Sequence, residues 1–261
     1  MKCEKALVFD SSCTSAQVYR RTSATSPMTP LSRLVSSVGL TLALVALSCS
    51  TAWAANDFSA AEQALFIDNQ LGKLQPPLTL SYSYRKTGTL EEAFTDKVDV
   101  LLKAQPDGTC CAASASFLTG ARTMRQPDIE GAKGNPAILY FLERDINEMQ
   151  RLTQGKANYF RKRIRMAIYQ GASIRNVNLP YRGRPIAVQE ISISPYLDDP
   201  NRTRYPKLAN KKYVFMVSSA VPGGLYGIRS RIDSETATAP PLMVEEMLID
   251  GGEATSPTRQ P

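Results

Sequence analysis

The sequence predicts an α+β protein built on an antiparallel, curved half-barrel sheet of about seven to eight strands, with an N-terminal helix and a central helix packed on one face. Two observations predict this class. Seven or eight segments alternate apolar and polar residues with a period of two. One long segment, 135–155, repeats apolar residues every three or four positions and has helix signals at both ends. A half-buried antiparallel sheet with a helix covering its apolar face accounts for both patterns.

The central helix has the clearest boundaries in the chain. Asn135 can accept hydrogen bonds from first-turn amides, and Pro136 occupies a position where its missing N–H costs nothing. Gly155 follows the last periodic residue, as expected just beyond a helix end. The apolar residues between these signals form one stripe: Ile138, Leu142, Ile146, Met149 and Leu152.

The segment after this helix, 159–170, is predicted to be a strand because its pattern changes to a period of two. Its outward face is cationic. The residues expected on that face are Arg161, Arg163 and Arg165. The residues expected to point inward are Phe160, Ile164, Met166 and Ile168.

The remaining elements follow from capping and alternation. Ser59 and Glu62 fit a capping box that opens an N-terminal helix running towards Leu71. Clean alternation, bounded by Gly and Pro turns, predicts the other strands. They are residues 78–85, 97–103, 109–118, 174–179, 186–193, 212–218 and 225–232.

Composition divides the chain into four parts. Residues 1–27 are polar and patternless, which indicates a non-globular leader or a wrongly assigned start. Residues 28–54 form a signal peptide, and residues 55–232 form a single α+β antiparallel-sheet domain. Residues 233–261 are predicted to be a mostly disordered tail with one short element, 242–249, able to dock.

The signal peptide predicts export. An apolar run over 38–47 is followed by Ala52-Trp53-Ala54, a small-x-small cleavage site. The run is too short for a comfortable membrane span, so the mature chain, starting near Ala54/Ala55, should be periplasmic or secreted without a transmembrane segment. Lipidation at Cys49 is disfavoured because Leu47 breaks the small-residue pattern that a lipobox needs.

The sequence is moderately basic, and its net charge excludes few classes of partner. The chain has 31 basic and 24 acidic residues, a net charge of +7. Residues 1–54 hold five of the basic and two of the acidic residues, so the mature chain keeps 26 and 22, a net +4. Export and this small charge make nucleic acid a poor candidate partner. Cys110 and Cys111 are interpreted as two small buried residues rather than a vicinal disulfide.

Histidine is absent from the sequence, which removes the usual general base and His-rich zinc sites. No phosphate-cradling GxxxxGK[ST], GxGxxG or GxSxG motif occurs either. The protein is therefore predicted not to be an enzyme and to need no cofactor or metal. A carboxylate-based hydrolase is the weakest alternative, resting on three pairs of acids: Asp96 with Asp99, Glu143 with Asp145, and Asp198 with Asp199.

The inward-facing side chains are the candidate ligand site. A sheet with an open concave face would line a cavity with aromatic and aliphatic residues. The candidates are Tyr82, Tyr84, Phe160, Ile164, Met166, Tyr213 and Phe215. The arginine row, Arg161, Arg163 and Arg165, is the candidate anion site at the edge of this cavity.

The order of elements resembles the periplasmic lipoprotein carriers and receptors of the LolA/LolB type. Shared features are a cleavable signal, a leading helix, a run of antiparallel strands, a helix inserted mid-chain and further strands. The resemblance covers roughly residues 59–232 and includes no diagnostic motif, so no family residue is transferred. It implies an unclosed β-barrel covered by helices that shelters acyl chains.

Two functional hypotheses follow. The first is an exported, periplasmic, non-catalytic binding or carrier protein with a cavity for an amphipathic lipid or acyl ligand. The alternative is an accessory protein of a cell-envelope assembly with an envelope protein as its partner. Its docking surface would be the small-residue strand 109–118, the arginine face or the segment 242–249.

Overall fold

The computed structural model describes residues 58–236 and 238–253. These residues form nine strands: β1 (Leu78–Thr87), β2 (Phe94–Ala104), β3 (Cys110–Phe117), β4 (Met124–Arg125), β5 (Ser173–Tyr181), β6 (Arg184–Ile193), β7 (Lys212–Val217), β8 (Leu225–Ile232) and β9 (Met243–Ile249). Three helices accompany them: α1 (Ala60–Glu62, continued by a π-helical turn over Gln63–Ile67), α2 (Pro136–Thr153) and α3 (Ala157–Gly171).

All nine strands belong to one open, antiparallel sheet with the order β4-β3-β2-β1-β9-β8-β7-β6-β5. This confirms the predicted α+β class, and the expected seven to eight strands were about right. Seven of the eight predicted strands are present, β4 and β9 are additional, and one predicted strand is a helix. The helices bury their apolar stripes against one face, whose side chains form the core.

The central helix is confirmed as α2. The Asn135 side chain accepts a hydrogen bond from the Ala137 amide at 3.1 Å, and Pro136 is the first helical residue. Gln154 ends the helix in the left-handed conformation with φ 56°, directly before Gly155. Its predicted stripe faces the sheet: Ile138, Leu142, Ile146 and Met149 are buried, and Leu152 packs against the core.

The segment 159–170 was predicted to be a strand, and this was wrong. It forms the main part of α3. Phe160, Ile164 and Ile168 are four residues apart, a spacing that fits alternation along a strand and one face of a helix equally well. Met166 decides between the two, because it lies two residues from Ile164 and is 36% exposed. The predicted apolar face of four residues is therefore a helical stripe of three.

The N-terminal helix begins as predicted and ends early. Ser59 and Glu62 form the full capping box, with both side chain to backbone hydrogen bonds present. Asp68 is extended, with ψ 137°, so the helical turns stop at Ile67 instead of continuing towards Leu71.

The segment 242–249, assigned above to the tail, contributes the central strand of the sheet. β9 pairs with β1 on one side, where Tyr82 opposes Ile249, and with β8 on the other, where Ile232 opposes Met243. The folded body thus extends to at least Ile249. At the start of β3, Cys110 and Cys111 form a vicinal disulfide, contrary to the interpretation as two separate buried residues.

The proposed leader, signal peptide, Cys49 and the Ala54/Ala55 cleavage site all lie outside the described residues. Among the helices of residues 58–236 and 238–253, none combines the length and apolarity needed to cross a bilayer.

Candidate binding groove beside α3

The predicted cavity-lining residues lie in the core, with one exception. Tyr82 and Tyr84 on β1 and Tyr213 and Phe215 on β7 are at most 1% exposed. They pack under α2, where the rings of Tyr84 and Phe141 are 6.4 Å apart. On α3, Phe160 and Ile164 are also buried, while Met166 is exposed.

The hydroxyls of the three predicted cavity-lining tyrosines have partners within the core. The Asn135 side-chain amide donates to the Tyr82 hydroxyl at 2.8 Å, and the Tyr84 hydroxyl donates to Glu245 at 2.8 Å. The Tyr213 hydroxyl donates to Asp145. Burial raises the pKa of Tyr84 and of Tyr213 well above the usual range, and nearby carboxylates add to the shift.

Ion pairs join α2 to the sheet next to these tyrosines. Asp145 pairs with Lys211, and both side chains are fully buried. Arg144 Nη1 lies 2.5 Å from Glu245 Oε1 on β9, the strand at the centre of the sheet. Lys86 Nζ on β1 lies 2.9 Å from Glu148 Oε1. Because each of these charges is paired, the cluster fixes the position of α2 on the sheet.

The predicted arginine row is separated by the helical conformation. Residues two apart on a helix point about 200° away from each other. Arg161 therefore reaches α2, where it binds both carboxylate oxygens of Glu143 at 2.7–2.8 Å. Arg163 turns to the opposite flank, with its Nε 3.1 Å from the Pro195 carbonyl and from Asp199 Oδ2. Arg165 lies on the exposed face.

A groove of about 800 Å³ lies beside α3, on the flank that carries Arg163. Its floor is formed by residues of β5, β6 and β7, among them Ser173, Ser192 and Val214. Its other wall is the loop that follows β6, from Ser194 to Asp198. The groove is thus assembled from three separate parts of the chain.

The groove combines cationic and apolar side chains. Arg163, Arg175 and Lys212 supply the positive charge, and Asp198 is the only carboxylate among the described lining residues. Arg175 Nε lies 2.5 Å from Glu190 Oε2, whereas Lys212 makes no ion pair within the described part of the chain. The apolar lining consists of Met166, Ala167, Ile193, Pro195, Leu197 and Val214.

Asp199 holds the loop wall of the groove against α3. Its carboxylate accepts hydrogen bonds from the hydroxyls of Tyr159 on α3 and Tyr205, and from the Asn201 amide at 2.7 Å. Burial alone would raise the pKa of the Asp199 carboxyl, but these hydrogen bonds and the nearby Arg163 outweigh it and lower the pKa. The carboxylate is therefore ionised near neutral pH, and the wall is fixed.

Described residues also line two smaller depressions. A cleft of about 660 Å³ separates residues 64–74 from the turn between β7 and β8, and Lys73 is the one cation among its described lining residues. A pocket of about 280 Å³ lies beside Phe160, Tyr159 and Tyr205. This pocket also contains two cations, Lys156 and Arg204, but at about 280 Å³ it is much smaller than the groove of about 800 Å³.

The carboxylate pairs noted in the sequence are mostly engaged in ion pairs or hydrogen bonds. Asp99 pairs with Lys97 at 2.9 Å, and Asp96 accepts from the Thr119 hydroxyl at 2.7 Å. Glu143, Asp145 and Asp199 have the partners given above. Within residues 58–236 and 238–253, no group of three or more Asp, Glu, Cys or His residues could hold a metal ion.

The groove was missed by the sequence analysis, although three of its residues, Arg163, Met166 and Asp198, were candidates for other reasons. A spacing signal could not have found it, because Arg175, Lys212 and Asp198 come from three different segments. Any activity must be inferred from the site, since a fold does not fix a function. Comparison with known protein families and with curated proteins finds no match to this chain.

Proposed function

We propose that this chain is an exported, non-catalytic binding protein that carries an amphipathic anion in the groove beside α3. The supporting observation is the composition of the groove: three cationic side chains and six apolar ones around about 800 Å³. Ligand sites commonly have this size and this combination of apolar walls with a few orienting polar groups. A carboxylate or phosphate joined to an acyl chain has the matching chemistry.

The resemblance to the LolA/LolB type is part of this proposal. The open antiparallel sheet agrees with the element order on which the resemblance rests, although two helices, α2 and α3, lie between β4 and β5 where one was expected. We place the ligand in the groove rather than under the helices, because six of the seven residues predicted to line a concave cavity are at most 3% exposed. The signal peptide supports the exported location.

The first test is a titration of the mature chain with a fluorescent long-chain fatty acid below its critical micelle concentration. We expect saturable binding, and binding about tenfold weaker in Lys212→Glu, since the change replaces a cation in the groove with a negative charge. Lys133→Glu, the same change at an exposed lysine outside the groove lining, is the matched control and should bind like the unmodified chain.

A fatty alcohol of equal length tests the anionic part of the proposal. Without a carboxylate it should bind more weakly than the acid, and Lys212→Glu should make little difference to it. Absence of saturable fatty-acid binding, or equal affinity in Lys212→Glu and Lys133→Glu, would exclude the groove as the site. Mass spectrometry of gently purified mature protein then identifies the natural ligand.

A further inference from the structure

Four large apolar side chains are exposed in the described part of the chain, three of them between residues 166 and 174. They are Met166 and Tyr169 on α3, Ile174 at the start of β5 and Leu197 in the loop after β6, with exposed fractions of 36, 53, 38 and 49%. Single exposed apolar residues are common on protein surfaces, but a local group of them indicates an interaction site. Met166 and Leu197 both line the groove, so they mark its rim.

The outward face of α3 combines such residues with positive charge. Lys162, Arg165, Met166 and Tyr169 follow the spacing i, i+3, i+4 and i+7, so they share one face of the helix. All four are exposed, because the stripe of Phe160, Ile164 and Ile168 anchors the other side of α3 in the core. Residues 157–171 contain four basic residues and no acidic residue.

This composition fits an anionic lipid surface better than a folded protein partner. The central parts of protein interfaces are depleted of charged residues, lysine in particular, and contain contiguous apolar area. On α3 the large apolar side chains instead alternate with Lys162 and Arg165. An anionic lipid surface can accept both kinds of side chain, because clustered cations are attracted to the headgroups and neighbouring apolar groups can enter the acyl boundary.

We propose that the outward face of α3, together with Leu197, docks the exported protein onto an anionic lipid bilayer. The docking face is defined as Lys162, Arg165, Met166, Tyr169 and Leu197. It would place the rim of the groove, where Met166 and Leu197 lie, against the lipid surface. The proposal goes beyond ligand binding in the groove and does not depend on it, since Lys162, Arg165 and Tyr169 are not part of the groove lining.

The test is flotation of the mature chain with vesicles. We expect it to float with mixed phosphatidylglycerol and phosphatidylcholine vesicles, to float much less with pure phosphatidylcholine, and to be released by high salt. The double variant Lys162→Glu/Arg165→Glu should bind the anionic vesicles at least tenfold more weakly. The matched control, Lys103→Glu/Lys133→Glu, reverses two exposed lysines outside the docking face and should bind normally.

A tryptophan reporter gives a second, independent readout. The only tryptophan of the sequence is Trp53, which precedes the expected mature start, so Met166→Trp adds a single reporter. We expect its emission to shift to shorter wavelength with anionic vesicles, as the indole enters the acyl boundary. The emission of Lys133→Trp should remain unchanged.

Three results would overturn the proposal: no flotation with anionic vesicles, equal flotation of the two double variants, or no emission shift in Met166→Trp. Each is distinct from a failure of the proposed function. If the fatty acid does not bind and the vesicles do, the groove assignment is wrong and the docking face stands. If the fatty acid binds and the vesicles do not, the reverse holds.

Discussion

The buried charges under α2 show how single residues position the helix. In the sequence Asp145 stands out only as one of a pair of acids with Glu143, yet it is fully buried against Lys211 and Tyr213. Lys211 lies 66 positions further along the chain. No local pattern could have predicted this contact, because it depends on where the sheet places the start of β7.

The first prediction at the residue scale concerns this pair. Lys211→Met should lower the free energy of unfolding by about 3–5 kcal/mol, because it leaves the Asp145 carboxylate buried without its cation. Lys212→Met is the matched control at the next position, where the lysine is exposed, and should change stability by no more than about 0.5 kcal/mol. Urea denaturation followed by circular dichroism measures both.

The double variant Asp145→Asn/Lys211→Met separates the charge from the packing. If the cost of Lys211→Met arises from an unpaired carboxylate, removing that carboxylate should recover a substantial part of the loss. Equal destabilisation by Lys211→Met and Lys212→Met would show instead that the buried pair contributes nothing to stability.

At the scale of elements, α2 and α3 show what periodicity can and cannot decide. The cap at Asn135 and the three-to-four spacing of its stripe fit only a helix, so α2 was predicted almost to the residue. In α3 the large apolar residues are four apart, which both periods allow, and it has neither a capping side chain nor an acidic first turn. Arg161, Arg163 and Arg165 lie two residues apart between them, which is the spacing of the polar face of a strand.

The element-scale prediction tests the start of α2. Asn135 is buried, and its side-chain amide donates to the Tyr82 hydroxyl and the Gly223 carbonyl, both at 2.8 Å. Asn135→Ala should therefore cost about 2–4 kcal/mol, combining the loss of the cap with two core acceptors left without their donor. Asn147→Ala makes the same change at an exposed position of α2.

Thermal unfolding of the two asparagine variants should differ clearly. Asn147→Ala should leave the midpoint almost unchanged, since alanine is the better helix former at an exposed position. A similar midpoint for both variants would mean that Asn135 acts as no more than a surface residue.

At the scale of the whole molecule, strand pairing could be predicted between strands that follow each other in the sequence, but not between strands that are far apart in it. Hairpins such as β1–β2 and β5–β6 follow from alternation and turn residues, so the antiparallel sheet was predictable. The position of β9 was not, because its partner β1 lies about 160 residues earlier and the preceding segment has a tail-like composition. The groove could not be predicted for the same reason, because it combines residues of α3, of β5 to β7 and of the loop after β6.

The last prediction tests the central position of β9. A mature chain ending at Ser234 loses β9, which exposes the edges of β1 and β8 and separates the sheet into two parts. It also removes Glu245, the partner of Arg144, and four apolar side chains that are at most 5% exposed: Met243, Met247, Leu248 and Ile249. At about 1.5–3 kcal/mol each, their burial is comparable with the entire stability of about 5–15 kcal/mol for a typical domain. We therefore expect no cooperative thermal transition by circular dichroism and an aggregated elution profile in size-exclusion chromatography.

A chain ending at Glu253 keeps every described strand and should unfold cooperatively. If the chain ending at Ser234 also elutes as a compact species with a cooperative transition, the remaining strands fold without β9 and its central place in the sheet is wrong.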